Sequence, residues 1–419
     1  MRSQLRLIPN TLAVVFVCLG LISCGGGGGD SGNSTSGGST SGGSSGSAGQ
    51  AVAECLQFVS GNTWGSVRSA DIKLGGETAP NAMIQVIADA AVPSAPHSCR
   101  STGPAWNSVQ SLGANGLLGI SNFAQDCGQA CASQALSGYY YSCTGGSCSP
   151  IAVPVANQVW NPVAKFSVDN NGTVVSLPSV SSSGATQVNG TLTFGIGTQA
   201  NNGVASATVL TVDSTYGEFS SSVNGTAYPG SFIDSGSNGL FYGINLFPNC
   251  NSFVGFYCPA TPQAQSAVLQ GQNGASAPVS FTVGNPDLLA ATITVDAELA
   301  GPEVGGGVDW GLPLFFGRNI YTAIEGMSTP AGSGPWVGIN SGSVTSGGTN
   351  QVPLVVDAGP SGANAINAPY VSVTLCAPGT TNCQTIDHVL VDTGSSGLRI
   401  LASVLNAGLL AALPQSTTP

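Results

Sequence analysis

The sequence predicts an all-β body with few short helices, and three observations carry that reading. β-branched, partly alternating runs recur at residues 209–212, 279–284, 291–299, 370–376 and 388–392. Sixty Gly and twenty-five Pro punctuate the 419 residues, as turn residues do between short strands. Helical periodicity is scarce: residues 123–136 and 402–413 are the best short helices, and 314–326 is mixed. Many strands at short spacing and little helix define the all-β class.

From the N-terminus, residues 1–24 read as an export signal. Arg2 and Arg6 precede an apolar core that is too short for a stable spanning helix. The core closes on Leu21-Ile22-Ser23-Cys24, which resembles a bacterial lipobox. In such signals the cysteine is lipidated and becomes the new N-terminus, so Cys24 is the expected anchor. Gly25 follows rather than Asp, which points to the outer membrane of a bacterial cell envelope. The competing reading is an ordinary cleaved signal with Cys24 incidental. Residues 25–50 are a Gly/Ser-rich tether, a flexible coil with a reach of roughly 25–30 Å. A formal GxSxG match at residues 42–46 lies inside it. It has neither the strand before nor the helix after that a nucleophile elbow needs.

Charged residues make up 6% of the chain, against about 25% in an average globular protein. Net charge is −11 and Lys plus Arg number eight, which excludes a nucleic-acid surface. The 42% hydrophobic content excludes a disordered body. Of twelve Cys, Cys18 falls in the signal and Cys24 at its end, leaving ten. An even count in an exported chain predicts disulfides. Cys143/Cys148, Cys250/Cys258 and Cys376/Cys383 would each close a small loop; wider pairing is not readable. Metal binding competes poorly, because the spacings do not suit zinc and only His97 and His388 could assist.

Two stretches carry chemistry: "HVLVDTGSSGLRIL" (388–401) and "SFIDSGSNGLFY" (231–242). They repeat one pattern: apolar strand, Asp, hydroxyl residue, Gly, Ser, small polar residue, Gly, Leu. A strand ending in Asp and turning on Gly presents a carboxylate at a loop tip. The hydroxyl after each Asp (Thr393, Ser235) can brace the opposite loop. The hydroxyl three positions on (Ser395, Ser237) can hydrogen-bond the carboxylate. Gly394 and Gly236 allow close approach. Two facing carboxylates cannot both ionise, so the pair holds one proton, with one member a general base and the other a general acid.

Asp392-Thr393-Gly394-Ser395-Ser396 and Asp234-Ser235-Gly236-Ser237 resemble the two active-site loops of pepsin-like aspartic peptidases. That family adds a hydrophobic-hydrophobic-Gly strand threading each loop, matched here by Leu117-Leu118-Gly119 and Phe315-Phe316-Gly317. The resemblance covers most of residues 55–405. It implies two double-ψ β-barrel lobes, a peptide or protein substrate, an Asp392/Asp234 dyad best active in acid, and no metal or organic cofactor. The order differs from the family's, where each Asp loop precedes its threading strand. Here Asp392 follows everything else, which implies a circular permutation. Residues 51–200 would hold the remainder of the first lobe, 201–339 the second, and 340–419 the permuted opening strands of the first. The alternative is a domain-swapped dimer in which 340–419 completes another chain.

Some positions depart from the family. Phe58 stands near the place of the flap tyrosine and has no hydroxyl, with Trp64 nearby; Arg399 stands where an apolar residue or Trp is usual; Asn238 replaces a hydroxyl residue. Asp309-Trp310 reads as a turn and a core Trp, His388 as structural, and residues 139–142 as an exposed edge or loop. The second functional reading is a catalytically inactive pepsin-like lipoprotein that serves as a binding or envelope structural module, since fold does not fix function.

Overall fold

A computed structural model of the protein describes residues 49–204, 206–303, 305–342 and 347–418. The signal, Cys24 and the tether up to residue 48 lie outside the described residues. Strands make up 43% and helices 9%, so the all-β class holds. Among the described residues no helix is long and apolar enough to cross a membrane.

The α-helices are Val109–Leu112, Gln129–Ser133 and Ala407–Ala412. The helix expected over 123–136 shrinks to one turn, because Gly128 takes a positive φ of 65° just before it and a Cys127–Cys131 disulfide closes over it. The 402–413 segment splits into a 3-10 turn, Ala402–Val404, and a helix whose first turn is capped by the Asn406 side chain. Residues 291–299 are loop rather than strand, with an isolated Val295–Ala185 bridge and a bond from Leu240 N–H to Leu299 O at 3.0 Å. Residues 314–326 contain the strand Arg318–Ala323.

A fifteen-stranded sheet and a seven-stranded sheet carry the architecture. In the first, the hairpin strands Ala51–Gln57, Asn62–Leu74 and Glu77–Ile87 lie together, and the later strands of the same chain insert beside them. Ser396–Leu401 runs between Glu77–Ile87 and Gly116–Ile120. Cys383–Asp392 pairs in parallel with Gly116–Ile120 on its other side. The sheet then crosses the boundaries expected near residues 200 and 340. Val188–Phe194 and Gly172–Leu177 are joined to Gln351–Val356 on one side and to Arg318–Ala323 and Trp336–Ser341 on the other. The Asp392 loop leaves a strand of this sheet, and the Asp234 loop leaves Thr226–Ile233 of the seven-stranded sheet.

The local arrangement around the two Asp residues repeats. Gly116–Ile120 threads beside Asp392, with Val391 opposite Leu118 in parallel and Leu398 opposite Leu118 antiparallel. Val308–Trp310 threads beside Asp234, with Ile233 opposite Trp310 in parallel and Leu240 opposite Trp310 antiparallel. This corrects the expected hallmark. The threading residues are Asp309, Trp310 and Gly311, not Phe315-Phe316-Gly317. A Cβ on Gly311 would sit 2.1 Å from the Gly239 carbonyl, so only glycine lets the strand end pass the loop. Gly317 is instead a turn residue at φ 75° before Arg318–Ala323. Only Phe315-Phe316-Gly317 has the expected apolar pair, and it is strand pairing that assigns the threading role to Asp309-Trp310-Gly311.

One large hydrophobic core joins the halves, with Leu118, Val391 and Leu398 from one and Ile233, Leu240 and Trp310 from the other. All ten body cysteines pair: the three expected loops, plus Cys127–Cys131 and the longer Cys55–Cys99. Near the C-terminal end the chain lies against the first strands, with Val52 N–H donating to Ser416 O and Ser416 N–H to Val67 O, at 2.9 and 2.8 Å.

Candidate active site

Each catalytic-type loop leaves a buried parallel strand, so its Asp is fixed by backbone pairing before any side chain acts. Asp234 N–H donates to Trp310 O of its threading strand at 3.1 Å. The two loops then lock crosswise. Ser235 N–H donates to Thr393 Oγ1 at 2.9 Å, and Thr393 N–H donates to Ser235 Oγ at 3.1 Å. Each hydroxyl in turn donates to the other strand: Ser235 Oγ to Val391 O at 2.8 Å, Thr393 Oγ1 to Ile233 O at 3.3 Å.

The carboxylates receive matching donors. Gly394 N–H donates to Asp392 Oδ1 at 2.7 Å and Gly236 N–H to Asp234 Oδ1 at 2.8 Å. Ser395 Oγ donates to Asp392 Oδ2, and Ser237 Oγ to Asp234 Oδ2 at 2.9 Å. Gly394 faces the other carboxyl so closely that a Cβ there would lie 2.7 Å from Asp234 Cγ. The eight residues Asp392, Thr393, Gly394, Ser395, Asp234, Ser235, Gly236 and Ser237 thus form one constellation. Asp234 and Asp392 are neighbours, each acting on the protonation of the other, and both are 0% exposed.

Burial pushes Asp234 well above the usual carboxylate range, and the charges of Asp392 and Asp309 push it further. Burial also raises Asp392, but the hydrogen bonds from Asp234, Ser395 and Gly394 and the Arg399 charge pull against it. Burial thus favours a shared proton on the pair, and the surrounding charges push Asp234 up while Arg399 pulls Asp392 down.

A cleft of about 460 Å³ opens beside the constellation, lined by Thr393, Gly394 and Ser395 with Leu56, Phe123, Asp126 and Glu218 among others. Phe58, the expected flap residue, does not line it. Phe58 sits at the tip of the hairpin formed by Ala51–Gln57 and Asn62–Leu74 but is 1% exposed and stacked on Trp106, ring centroids 4.9 Å apart. Leu56, on the strand leading into the tip, lines the cleft instead. Trp64 packs against Tyr141 near Cys55–Cys99, away from the cleft lining.

Three residues that the sequence flags or reads otherwise prove to be buried polar partners. Asp309 is a buried strand residue, 1% exposed, and Ser237 Oγ lies 2.7 Å from its Oδ2. Arg399 is fully buried and pairs with Glu54 Oε1 at 2.6 Å, with Asp126 Oδ2 3.8 Å away. Tyr140 donates to both Asp126 oxygens at 2.7 and 2.8 Å, so Tyr140 and the equally buried Tyr141 form no exposed edge. Burial and the Glu54 charge hold Asp126 well above its ordinary range. His388 contacts Asp387 and Asp357 and stacks edge-on with Tyr370. Asn238 is buried, its carbonyl accepting from Asn367 Nδ2 at 2.9 Å.

The chain belongs to the family described as a protein of unknown function (DUF3443), whose model matches residues 34–338 and 346–419. No curated protein matches the sequence.

Proposed function

We propose that this chain is a circularly permuted, bilobal aspartic peptidase of pepsin-like fold, held at the bacterial outer membrane by a lipid on Cys24, and that it cleaves peptide or protein substrates. One observation carries the reading: two adjacent buried carboxyls, each given the same Gly N–H and Ser hydroxyl donors, with their loops locked by reciprocal hydroxyl bonds. The repeated threading strands support the two-lobed, permuted description, with residues 340–419 closing the first lobe in the same chain.

In this reading Asp392 is the base and Asp234 the acid. Asp392 takes a proton from water as the water oxygen bonds the substrate carbonyl carbon. The Asp234 proton passes to the carbonyl oxygen, giving a neutral diol. Asp392 then returns its proton to the amide nitrogen, the C–N bond breaks, and a diol proton restores Asp234. Water must reach carboxyls that are fully covered in this conformation, so turnover requires the cleft, which Leu56 of the first hairpin lines, to open.

That same burial favours a second reading, an inactive binding or envelope module. The test is cleavage of an unstructured protein at about pH 4, with and without a pepstatin-type mimic. Wild type should cleave, the mimic should block it, and Asp392→Asn should not cleave. Equal cleavage by Asp392→Asn and wild type removes the dyad. Saturable peptide binding by a wild type that does not cleave selects the second reading.

A further inference from the structure

The two halves differ at one position beside the dyad. Pairing sets Leu118 opposite both Val391 and Leu398, and Trp310 opposite both Ile233 and Leu240. The residue before each is therefore equivalent: Leu117 in one half, Asp309 in the other. Leu117 is buried among apolar neighbours. Asp309 is buried against Ser237, which is itself bonded to Asp234.

A serine hydroxyl carries one proton. Ser237 Oγ lies 2.9 Å from Asp234 Oδ2 and 2.7 Å from Asp309 Oδ2. It can donate to only one of them. The other contact is a hydrogen bond only if that carboxyl brings its own proton; otherwise two lone pairs face each other out of water. Asp234 and Asp392, buried neighbours, would likewise set two charges side by side unless one of them holds a proton. Three carboxyls in a row, 0–1% exposed, therefore hold two protons and one negative charge, which also avoids burying three charges together.

We infer that Asp309 is a positioning residue for the dyad: it stores a proton and hands it through the Ser237 hydroxyl to Asp234. The step is balanced. The Asp309 Oδ2 proton moves to Ser237 Oγ as the Ser237 proton moves to Asp234 Oδ2, so one carboxyl ionises as another is neutralised. Asp234 can then give its proton to the carbonyl oxygen and hold the one from Asp309; when the diol proton returns to Asp234, the relay runs back through Ser237 and Asp309 recovers its proton. The strands flanking Asp309, Thr226–Ile233 and Leu240–Tyr242, carry only Tyr228 and Tyr242 as titratable groups, both pushed up by burial and so neutral. The guanidinium acting on the dyad, Arg399, pulls on Asp392. The relay therefore biases Asp234 alone. This inference rests on the dyad reading for its purpose but not for its proton count.

The test uses the full chain with ¹³C-labelled Asp carboxyls. At about pH 5.5, above the ordinary carboxylate range, two of the three signals should be those of protonated acids in the wild type; only one overturns the relay, whatever any variant does. Asp309→Asn keeps a donor toward Ser237 but stores no transferable proton. It should lower the upper titration midpoint of the dyad by about one pH unit, tenfold in proton affinity, with the same shift in the basic limb of the cleavage profile. Ser237→Thr keeps the hydroxyl and should retain the wild-type midpoint. A folded Asp309→Asn with an unshifted midpoint overturns the relay and leaves the dyad standing. A shifted midpoint in a protein that cleaves nothing supports the relay and removes the peptidase reading.

Discussion

Around Asp392 the threading strand is apolar and a buried cation, Arg399, stands on the strand that follows the loop; around Asp234 the threading strand carries an acid and no such cation acts on it. The direct hydrogen bonds to the two carboxyls are otherwise copies. The donors set the geometry and do so equally, whereas the more distant charges set the protonation and do so unequally. A pseudo-symmetric site built from two like loops needs such a difference to separate an acid from a base, because identical surroundings would leave the shared proton undirected. Here Arg399 favours the charged form of Asp392, while Asp309 disfavours the charged form of Asp234.

Removing either carboxyl should break the comparison most sharply. Asp392→Asn and Asp234→Asn should each lower the cleavage rate by roughly 10²–10⁴-fold, the usual worth of positioned acid–base groups, measured at about pH 4. Their stabilities should rise near neutrality. Burial raises both carboxyls on folding, so stability is fully present below the unfolded value, about 3.9, and is lost as pH rises through the folded values. Asp234→Asn is neutral throughout and escapes that loss. Chemical denaturation should find it more stable than wild type at about pH 7, with the gap closing in acid; no gap would mean that Asp234 gains no proton affinity on folding.

Arg399→Leu should come next. It leaves Glu54 and Asp126 buried without their cation and should cost about 3–5 kcal/mol, read from denaturation midpoints. Gly394→Ala pushes a methyl into the Asp234 carboxyl and should cost about 1–3 kcal/mol. It should also lower activity more than its stability loss explains, since it spreads the dyad. Smallest are Ser235→Ala and Thr393→Val, which each remove half of the crosswise lock. Each should cost about 1–2 kcal/mol, and a double-mutant cycle should show coupling between them. Independent, additive losses would deny the lock.

The sequence made the Asp loops legible because their chemistry is local: strand, carboxylate, hydroxyl and glycine sit within five residues. The short disulfide loops were legible for the same reason. Cys55–Cys99 was not, since its partners meet only through the hairpin. Asp309 was missed because an acid before Trp and Gly fits a turn as well as a strand; its one trace was a charge inside an apolar run bounded by glycines. Phe58 was placed at the right hairpin tip, but which way a tip residue turns depends on Trp106, far along the chain. Arg399 was noticed as out of place, and only its contact with Glu54, remote in sequence, gives the reason.

The clasp between residues 414–418 and the strands Ala51–Gln57 and Asn62–Leu74 has a consequence for biosynthesis. The hairpin side chains Ile72, Ile84 and Val86 are fully covered in the finished protein, and strands that complete their sheet are translated some three hundred codons later. Contacts of such long sequence separation form slowly. While the ribosome works through the intervening length, this sticky surface has no permanent cover. Folding of this protein should therefore depend on holding chaperones more heavily than that of a β-protein whose neighbouring strands follow one another in the gene.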